Sequence, residues 1–203
     1  MRPRGTVFVV DDDEEMRRSL KCMLESVNLP VQAFSTAREF LEAFEPASRG
    51  CLVLDVRMPG VSGMELQNRL LARGITIPII FITAHGDIPM SVEAIKKGAA
   101  DFIIKPFRVQ VLLDRIQQVL ERDAEIAETD HERKVVAARL GLLTQRERQV
   151  VDVALTGMSN KQIALQLGVS TQAIYAHRAK AMNKLQAESI PDLVKTMLFA
   201  ETT

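Results

Sequence analysis

Five short apolar runs, at residues 6–10, 31–34, 51–54, 77–83 and 101–104, each lead into a segment of helical period. Residues 14–27 place Met16, Leu20, Met23, Leu24 and Val27 on one helical face. Thr36-Ala37-Arg38-Glu39 has the capping-box spacing that opens a helix to Phe44, and Ser62-Gly63-Met64-Glu65 opens the next helix with the same device. A helix over 89–97 is stopped by Gly98, and a last one starts near Val109. Strand–helix–strand alternation requires crossovers, which dictate a parallel sheet with helices on both faces. The expectation is a doubly wound α/β domain with a five-stranded parallel sheet, filling about 120 residues.

The third run carries the chemistry. Cys51-Leu52-Val53-Leu54 leads to Asp55 and then to Val56-Arg57-Met58-Pro59-Gly60-Val61-Ser62-Gly63, a buried strand delivering one carboxylate to its C-terminal end. Ligands bind at that end of open α/β sheets, so Asp55 is a candidate nucleophile for a phosphoryl group. Asp11, Asp12 and Asp13 follow the first strand, which is the central neighbour of the third in such a sheet. Carboxylates sharing a pocket repel unless a cation sits among them, and oxygen-only ligands suit Mg²⁺ first. The plainer account, a helix N-cap with a solvated acidic turn, describes Asp13. Thr83 brings a hydroxyl at the end of the fourth strand, and Lys105 brings an ammonium just before Pro106. A metal, a Lys and a hydroxyl can neutralise the equatorial oxygens of a transferring phosphoryl group. A lysine snorkelling from a sheet edge is the other account of Lys105.

From Leu140 the pattern becomes all-helical. Thr144-Gln145-Arg146-Glu147 and Ser159-Asn160-Lys161-Gln162 are capping boxes, Ser170 and Ser189 are N-cap residues, and Gly157 and Gly168 are stops. Helices are expected near 145–156, 160–167, 171–185 and 190–199. The short Gly-containing turn at Gly168-Val169-Ser170 marks a helix-turn-helix. Residues 123–139 read as a charged, solvated helical linker; a helix crossing a dimer seam is the alternative, with Ile126 seven positions after Val119.

Net charge is zero over the chain, yet residues 140–203 hold seven basic and five acidic side chains, compatible with a nucleic-acid partner. No apolar run approaches the roughly 20 residues that span a bilayer. Met1-Arg2-Pro3-Arg4-Gly5 leads straight into a strand pattern, so no signal peptide, no membrane partner and a cytoplasmic location are expected. Cys22 and Cys51 are expected to be reduced core thiols.

Asp11-Asp12 after strand one, Asp55-x-x-Met58-Pro59-Gly60 after strand three, Thr83-Ala84 after strand four and Lys105-Pro106-Phe107 after strand five resemble a bacterial response-regulator receiver domain, of flavodoxin-like fold, over about residues 5–122. Leu143-Thr144-Gln145-Arg146-Glu147-Arg148-Gln149-Val150, Asn160-Lys161-Gln162-Ile163-Ala164 and His177-Arg178 resemble the LuxR-type helix-turn-helix. With Thr83-Ala84-His85-Gly86-Asp87 and Val56-Arg57-Met58-Pro59, the chain is similar to the FixJ/NarL family of two-component regulators. That gives domains 1–122 (receiver), 123–139 (linker) and 140–203 (DNA-binding).

The resemblance implies roles. Asp55 would take phosphate from a sensor histidine kinase. Asp12, Asp55 and the backbone carbonyl of Arg57 would bind Mg²⁺, with Asp11 assisting. Lys105, the Thr83 hydroxyl and the Ala84 N–H would hold the phosphoryl oxygens. Movement of Thr83 would let Phe102 rotate inward and alter the face used for homodimerisation. Double-stranded DNA would be the second partner, with RNA polymerase as a further candidate.

Over 171–185, Ile174, Ala181 and Leu185 fall on the inward face; Gln172, Tyr175, Ala176, Ala179 and Asn183 fall on the side that would enter the major groove. Arg178, Lys180 and Lys161 are candidates for phosphate contacts. The sequence departs from the family at Ala173, where Thr is usual, and at Tyr175, where a charged residue is frequent. Two other functions compete with a phosphorylation-controlled transcription regulator. One is a phosphorylation-independent DNA-binding factor with a structural receiver. The other is an aspartyl-phosphate hydrolase, which would need a second acid two residues after Asp55, where Arg57 stands.

Overall fold

A computed structural model describes residues 5–46, 48–84 and 88–201. The chain divides into two compact units, one ending at Ile126 and the other starting at Ala127. In the first, strands β1 (Thr6–Val10), β2 (Val31–Phe34), β3 (Gly50–Asp55), β4 (Ile79–Thr83) and β5 (Asp101–Ile104) form one sheet in the order β2-β1-β3-β4-β5, every pair parallel. Between them run α1 (Glu14–Ser26), α2 (Ala37–Ala43), α3 (Gly63–Ala72) and α4 (Ile88–Lys96), and α5 (Val109–Gly141) follows β5.

Alternation along the strands builds two cores. Phe8, Val10, Leu52, Leu54 and Phe81 meet Phe40, Leu66, Leu70 and Ala94 of α2, α3 and α4 on one face. Val7, Val9, Val53, Ile80 and Ile82 meet Leu20 and Leu24 of α1 and Leu112, Ile116 and Leu120 of α5 on the other. β3 is buried along its whole length, which explains why its sequence is a continuous apolar run.

Local details refine the expectations. β4 starts at Ile79 rather than at residue 77, because Pro78 has no N–H for the ladder. Val27 is the C-cap of α1 and is exposed. The Cys22 side of that helix is also exposed, a correction to the core-thiol expectation: at about 100° per residue, Cys22 lies far around the helix from buried Leu20 and Leu24. Cys51 is buried, and burial, with the Asp123 carboxylate second, pushes its thiol up to about 12. The Thr36 and Ser62 hydroxyls accept the N–H of Glu39 and Glu65 as expected. The returning half of each box is not made: Glu39 instead accepts from Ser35, and Glu65 pairs with Arg69.

The linker sequence is helical, being part of α5, and Ile126 is exposed. Asp123 is largely buried and faces Arg49 at 3.5 Å, so the first unit continues a turn past Arg122.

The second unit adds α6 (Gln145–Ala154), α7 (Asn160–Leu167), α8 (Thr171–Leu185) and α9 (Ile190–Glu201). Both capping boxes close, at Thr144/Glu147 and Ser159/Gln162. Gly168 ends α7 at φ 66°, a left-handed conformation that glycine adopts without strain. Ile174, Ala181 and Leu185 of α8 are fully buried against α6, α7 and α9, as the periodicity demands.

Candidate functional site

β1, β3 and β5 deliver three charged side chains to one point above the C-terminal edge of the sheet. Lys105, the residue after β5, donates from Nζ to Asp11 Oδ2 at 2.8 Å and to Asp55 Oδ1 at 3.0 Å. The Asp11 and Asp55 side chains are only 1% and 8% exposed, and that of Lys105 is 16% exposed. The remaining carboxylate oxygens accept backbone donors: Asp13 N–H on Asp11 Oδ1 at 2.9 Å, and Arg57 N–H on Asp55 Oδ2 at 2.7 Å. Lys105 is thus an ammonium between two acids, not a snorkelling edge residue. The Lys105–Pro106 peptide is cis, and the Lys105 N–H donates to the Thr83 carbonyl at 2.7 Å.

Electrostatics follow from this geometry. Burial raises the Asp55 pKa above its ordinary value, with the Lys105 hydrogen bond and charge opposing that shift. Burial alone would lower the Lys105 pKa, but its bonds to Asp11 and Asp55 outweigh burial and raise it. Two buried carboxylates against one ammonium leave the pocket net negative, which favours a further cation.

Thr83 is buried at the end of β4, with Ala84 exposed in the bend that follows. His85, Gly86 and Asp87, the rest of that motif, lie outside the described residues. Phe102 is half-buried, with its ring 6.0 Å from that of Phe81. Asp12 and Arg57 are exposed at the mouth. Among the described residues no three His, Cys, Asp or Glu side chains are gathered closely enough to hold a metal by themselves, so Asp12 does not join Asp11 and Asp55 side by side. The reason is local: Asp12 immediately precedes the N-cap Asp13, and its side chain turns to solvent while that of Asp11 turns inward.

Spacing alone missed Arg17. Its Nη1 donates to the backbone carbonyl of Asp11 at 2.8 Å. The available signal was a pair of cations, Arg17 and Arg18, soon after five consecutive acids, Asp11 to Glu15, on a helix whose side chains lean toward its N-terminus.

In the second unit, Gln172, Tyr175, Ala176, Ala179 and Asn183 of α8 are all exposed together on the side away from the core. Lys161 and Lys180 are exposed as well. Arg178 differs: it is half-buried and donates from Nη1 to Asn160 Oδ1 at 2.9 Å, tying α8 to the start of α7. Lys184, in a helix whose own sequence holds no acid, is engaged across the fold. It donates to Glu147 Oε2 at 2.6 Å and to the Leu142 carbonyl at 3.1 Å.

The Lys184 hydrogen bond, then the Thr144 N–H, hold the Glu147 carboxyl at about 2, below its ordinary 4.5. A lowered pKa contributes stability that is present above pH 4.5 and is lost as the pH falls toward 2. Glu147→Gln is therefore expected to lower the thermal midpoint at neutral pH, with the gap to wild type closing across that window. Circular dichroism melts at stepped pH measure it, and a gap independent of pH would contradict the assignment.

Residues 7–117 match the response regulator receiver domain family, and residues 141–197 match the luxR family of bacterial regulatory proteins. The transcriptional regulatory protein FixJ of Azorhizobium caulinodans is 45% identical over 194 residues, covering 96% of this chain and 92% of that one. Nodulation protein W of Bradyrhizobium diazoefficiens is 45% identical over 192 residues, covering 95% and 85%. Among solved structures, the response regulator StyR is similar with a TM-score of 0.89 and 46% identity over 95% of this chain and 98% of that one. Full-length FixJ from B. japonicum gives 0.61 and 40% identity over 98% of both.

Proposed function

Because this chain belongs to the two-component response regulators, with a receiver domain and a LuxR-type helix-turn-helix, we propose that Asp55 is its phosphoacceptor and that phosphorylation controls DNA binding. The observation that carries this reading is the Lys105 ammonium held between Asp11 and Asp55. The donor is the phosphohistidine of a sensor histidine kinase. An Asp55 oxygen attacks phosphorus, the P–N bond breaks as the P–O bond forms, and the imidazole leaves with the bonding pair.

The residues fit a hard divalent cation: every candidate ligand is oxygen, and the buried cluster carries excess negative charge. Mg²⁺ would be held by Asp12, Asp55 and the Arg57 carbonyl, with Asp11 assisting, and would supply neutralisation of the phosphoryl charge. Lys105 shifts its donor bond from Asp55 to a phosphoryl oxygen, and the Thr83 hydroxyl and Ala84 N–H hold others. The product adds a charge of about −1.5 to −2 at this point. Thr83 is drawn toward it and Phe102 turns inward beside Phe81, which alters the face formed by α4, β5 and α5 and promotes a homodimer.

On the output side, Gln172 and Tyr175 face base edges, while Lys161, Lys180 and the Arg178 N–H groups not given to Asn160 meet phosphates. A dimer would read paired half-sites about one helical turn or more apart. RNA polymerase is the partner through which bound regulator would act on transcription. Among the described residues no helix is long and apolar enough to cross a membrane, in keeping with the cytoplasmic location proposed here.

The test is Asp55→Asn with acetyl phosphate and Mg²⁺. Wild type is expected to incorporate label, to gain operator affinity at one fixed salt concentration and to sediment as a dimer; the variant should do none of these. Equal labelling would remove Asp55 as acceptor. Labelling without a change in operator affinity would favour the phosphorylation-independent DNA binder.

A further inference from the structure

The chain's acidic pocket has a support that the phosphorylation chemistry above does not use. Asp11 is fixed at four points. Its N–H donates to the Phe34 carbonyl at 3.3 Å, and its two carboxylate oxygens accept from Asp13 and Lys105. The fourth point is its own carbonyl, which accepts Arg17 Nη1 at 2.8 Å. That carbonyl belongs to the peptide joining Asp11 to Asp12, so whatever holds it sets the direction in which Asp12 leaves the strand. Asp12 is exposed, and none of the side-chain hydrogen bonds described above fixes it. The backbone N–H of Arg17 also donates to the Asp13 carbonyl at 3.0 Å, within the first turn of α1. Arg17 therefore clamps both ends of the Asp11–Asp13 segment to the helix. Glu39 is anchored separately, by the Ser35 N–H and hydroxyl. The Arg17 charge is among the influences that keep Glu39 below its ordinary pKa, after the Ser35 hydrogen bonds.

We propose that Arg17 is a positioning residue for the phosphorylation pocket: through the Asp11 carbonyl it fixes the Asp11–Asp12 peptide, holding the Asp11 carboxylate inward and Asp12 at the mouth where a divalent cation would enter. This rests on the phosphoacceptor reading of the pocket. The effect is one of geometry, not of charge. A guanidinium beside a cation site repels the cation, so removal of its charge alone would strengthen metal binding. Loss of the hydrogen bond frees the peptide and weakens it. Outer-sphere groups that orient metal ligands change affinity by about 10- to 100-fold.

Two variants separate these effects in the full-length protein. Arg17→Ala removes bond and charge; Arg17→Gln keeps an N–H donor without the charge. Mg²⁺ affinity is read by calorimetric titration with MgCl₂ alone, and phosphorylation by acetyl phosphate is read separately. Arg17→Ala is expected to weaken Mg²⁺ binding about tenfold and to raise the Mg²⁺ needed for half-maximal labelling by the same factor. Labelling at saturating Mg²⁺ should return toward wild type, and Arg17→Gln should recover most of the affinity. Unchanged or tighter Mg²⁺ binding in Arg17→Ala would overturn the proposal. So would an Arg17→Gln affinity as low as that of Arg17→Ala, since the uncharged donor would then have restored nothing. Asp55→Asn run alongside keeps the two readings apart. If Asp55→Asn labels like wild type the phosphoacceptor reading fails, whereas the Arg17 titrations report on the peptide clamp whichever residue is labelled. A thermal melt of Arg17→Ala matching wild type excludes loss of fold as the cause; if that variant melts early, its Mg²⁺ titration well below the melting midpoint, where it is folded, decides.

Discussion

Exchanging Lys105 for Met is expected to slow labelling by acetyl phosphate by roughly 100- to 1,000-fold, the usual cost of removing one donor to a developing oxyanion. The ammonium stands 3.0 Å from Asp55 Oδ1 before the reaction, so it has only to shift one donor bond when the phosphoryl group arrives. The same exchange leaves Asp11 and Asp55 facing each other while almost fully buried. The stability loss should then depend on pH. The raised Lys105 pKa means that its contribution is complete below 10.5 and disappears as the pH climbs through the raised value. The raised Asp55 pKa favours the protonated acid in the fold: that contribution is present below 3.8 and is lost as the pH rises through the folded value, above which the carboxylate depends on Lys105. The gap between wild type and Lys105→Met in urea midpoints, measured in chelator, should be widest near neutrality and shrink in acid and in strong base. A gap that stays constant from acid to base would mean that Lys105 does not balance these acids.

Gly63→Ala is expected to cost about 3 kcal/mol, the upper part of the range for overpacking a well-filled site. A Cβ at Gly63 would sit 2.3 Å from the Asp55 carbonyl oxygen and 3.1 Å from its carbon. Neither atom can yield as a flexible side chain could, because both belong to β3 backbone between two paired strands. The Gly63 N–H also donates to the Val56 carbonyl at 2.9 Å, so α3 cannot simply slide away. Urea unfolding of the full chain measures the loss. The push falls on Asp55 itself, so slower phosphorylation at wild-type Mg²⁺ should accompany it. A variant as stable as wild type would show that the α3 N-terminus can retreat from the strand.

Much of this molecule was legible before any coordinates. Period-two and period-3.6 patterns report which side of an element is apolar, and burial acts on that directly. This is why the five strands, the sheet order around β1 and β3, and the inward face of α8 at Ile174, Ala181 and Leu185 follow from residue order. The pocket was legible for a related reason. Strand ends in a parallel sheet share one edge, so Asp11, Asp55 and Lys105 could be assigned to one place without knowing a distance. Cys22 escaped because a thiol's tendency to be buried is a statistical preference that the phase of a single helix overrides.

What residue order cannot carry is partnership between groups that depend on side-chain reach. Arg178 looked free for phosphate, yet its guanidinium reaches Asn160; Lys184, in a helix without acids, closes on Glu147 from another helix. Gly63 read only as the first helical residue after the Ser62 cap, and the approach of β3 shows that there is no room for a Cβ. Arg17 is the same case at the site itself, since its bond to the Asp11 carbonyl exists only once α1 has packed beside β1. Sequence alone determined which elements form and which charged groups stand at their ends, because patterns of burial are local in the chain. Tertiary structure alone decided which of those groups touch, because hydrogen bonds act over about 3 Å and the packing of whole elements sets that distance.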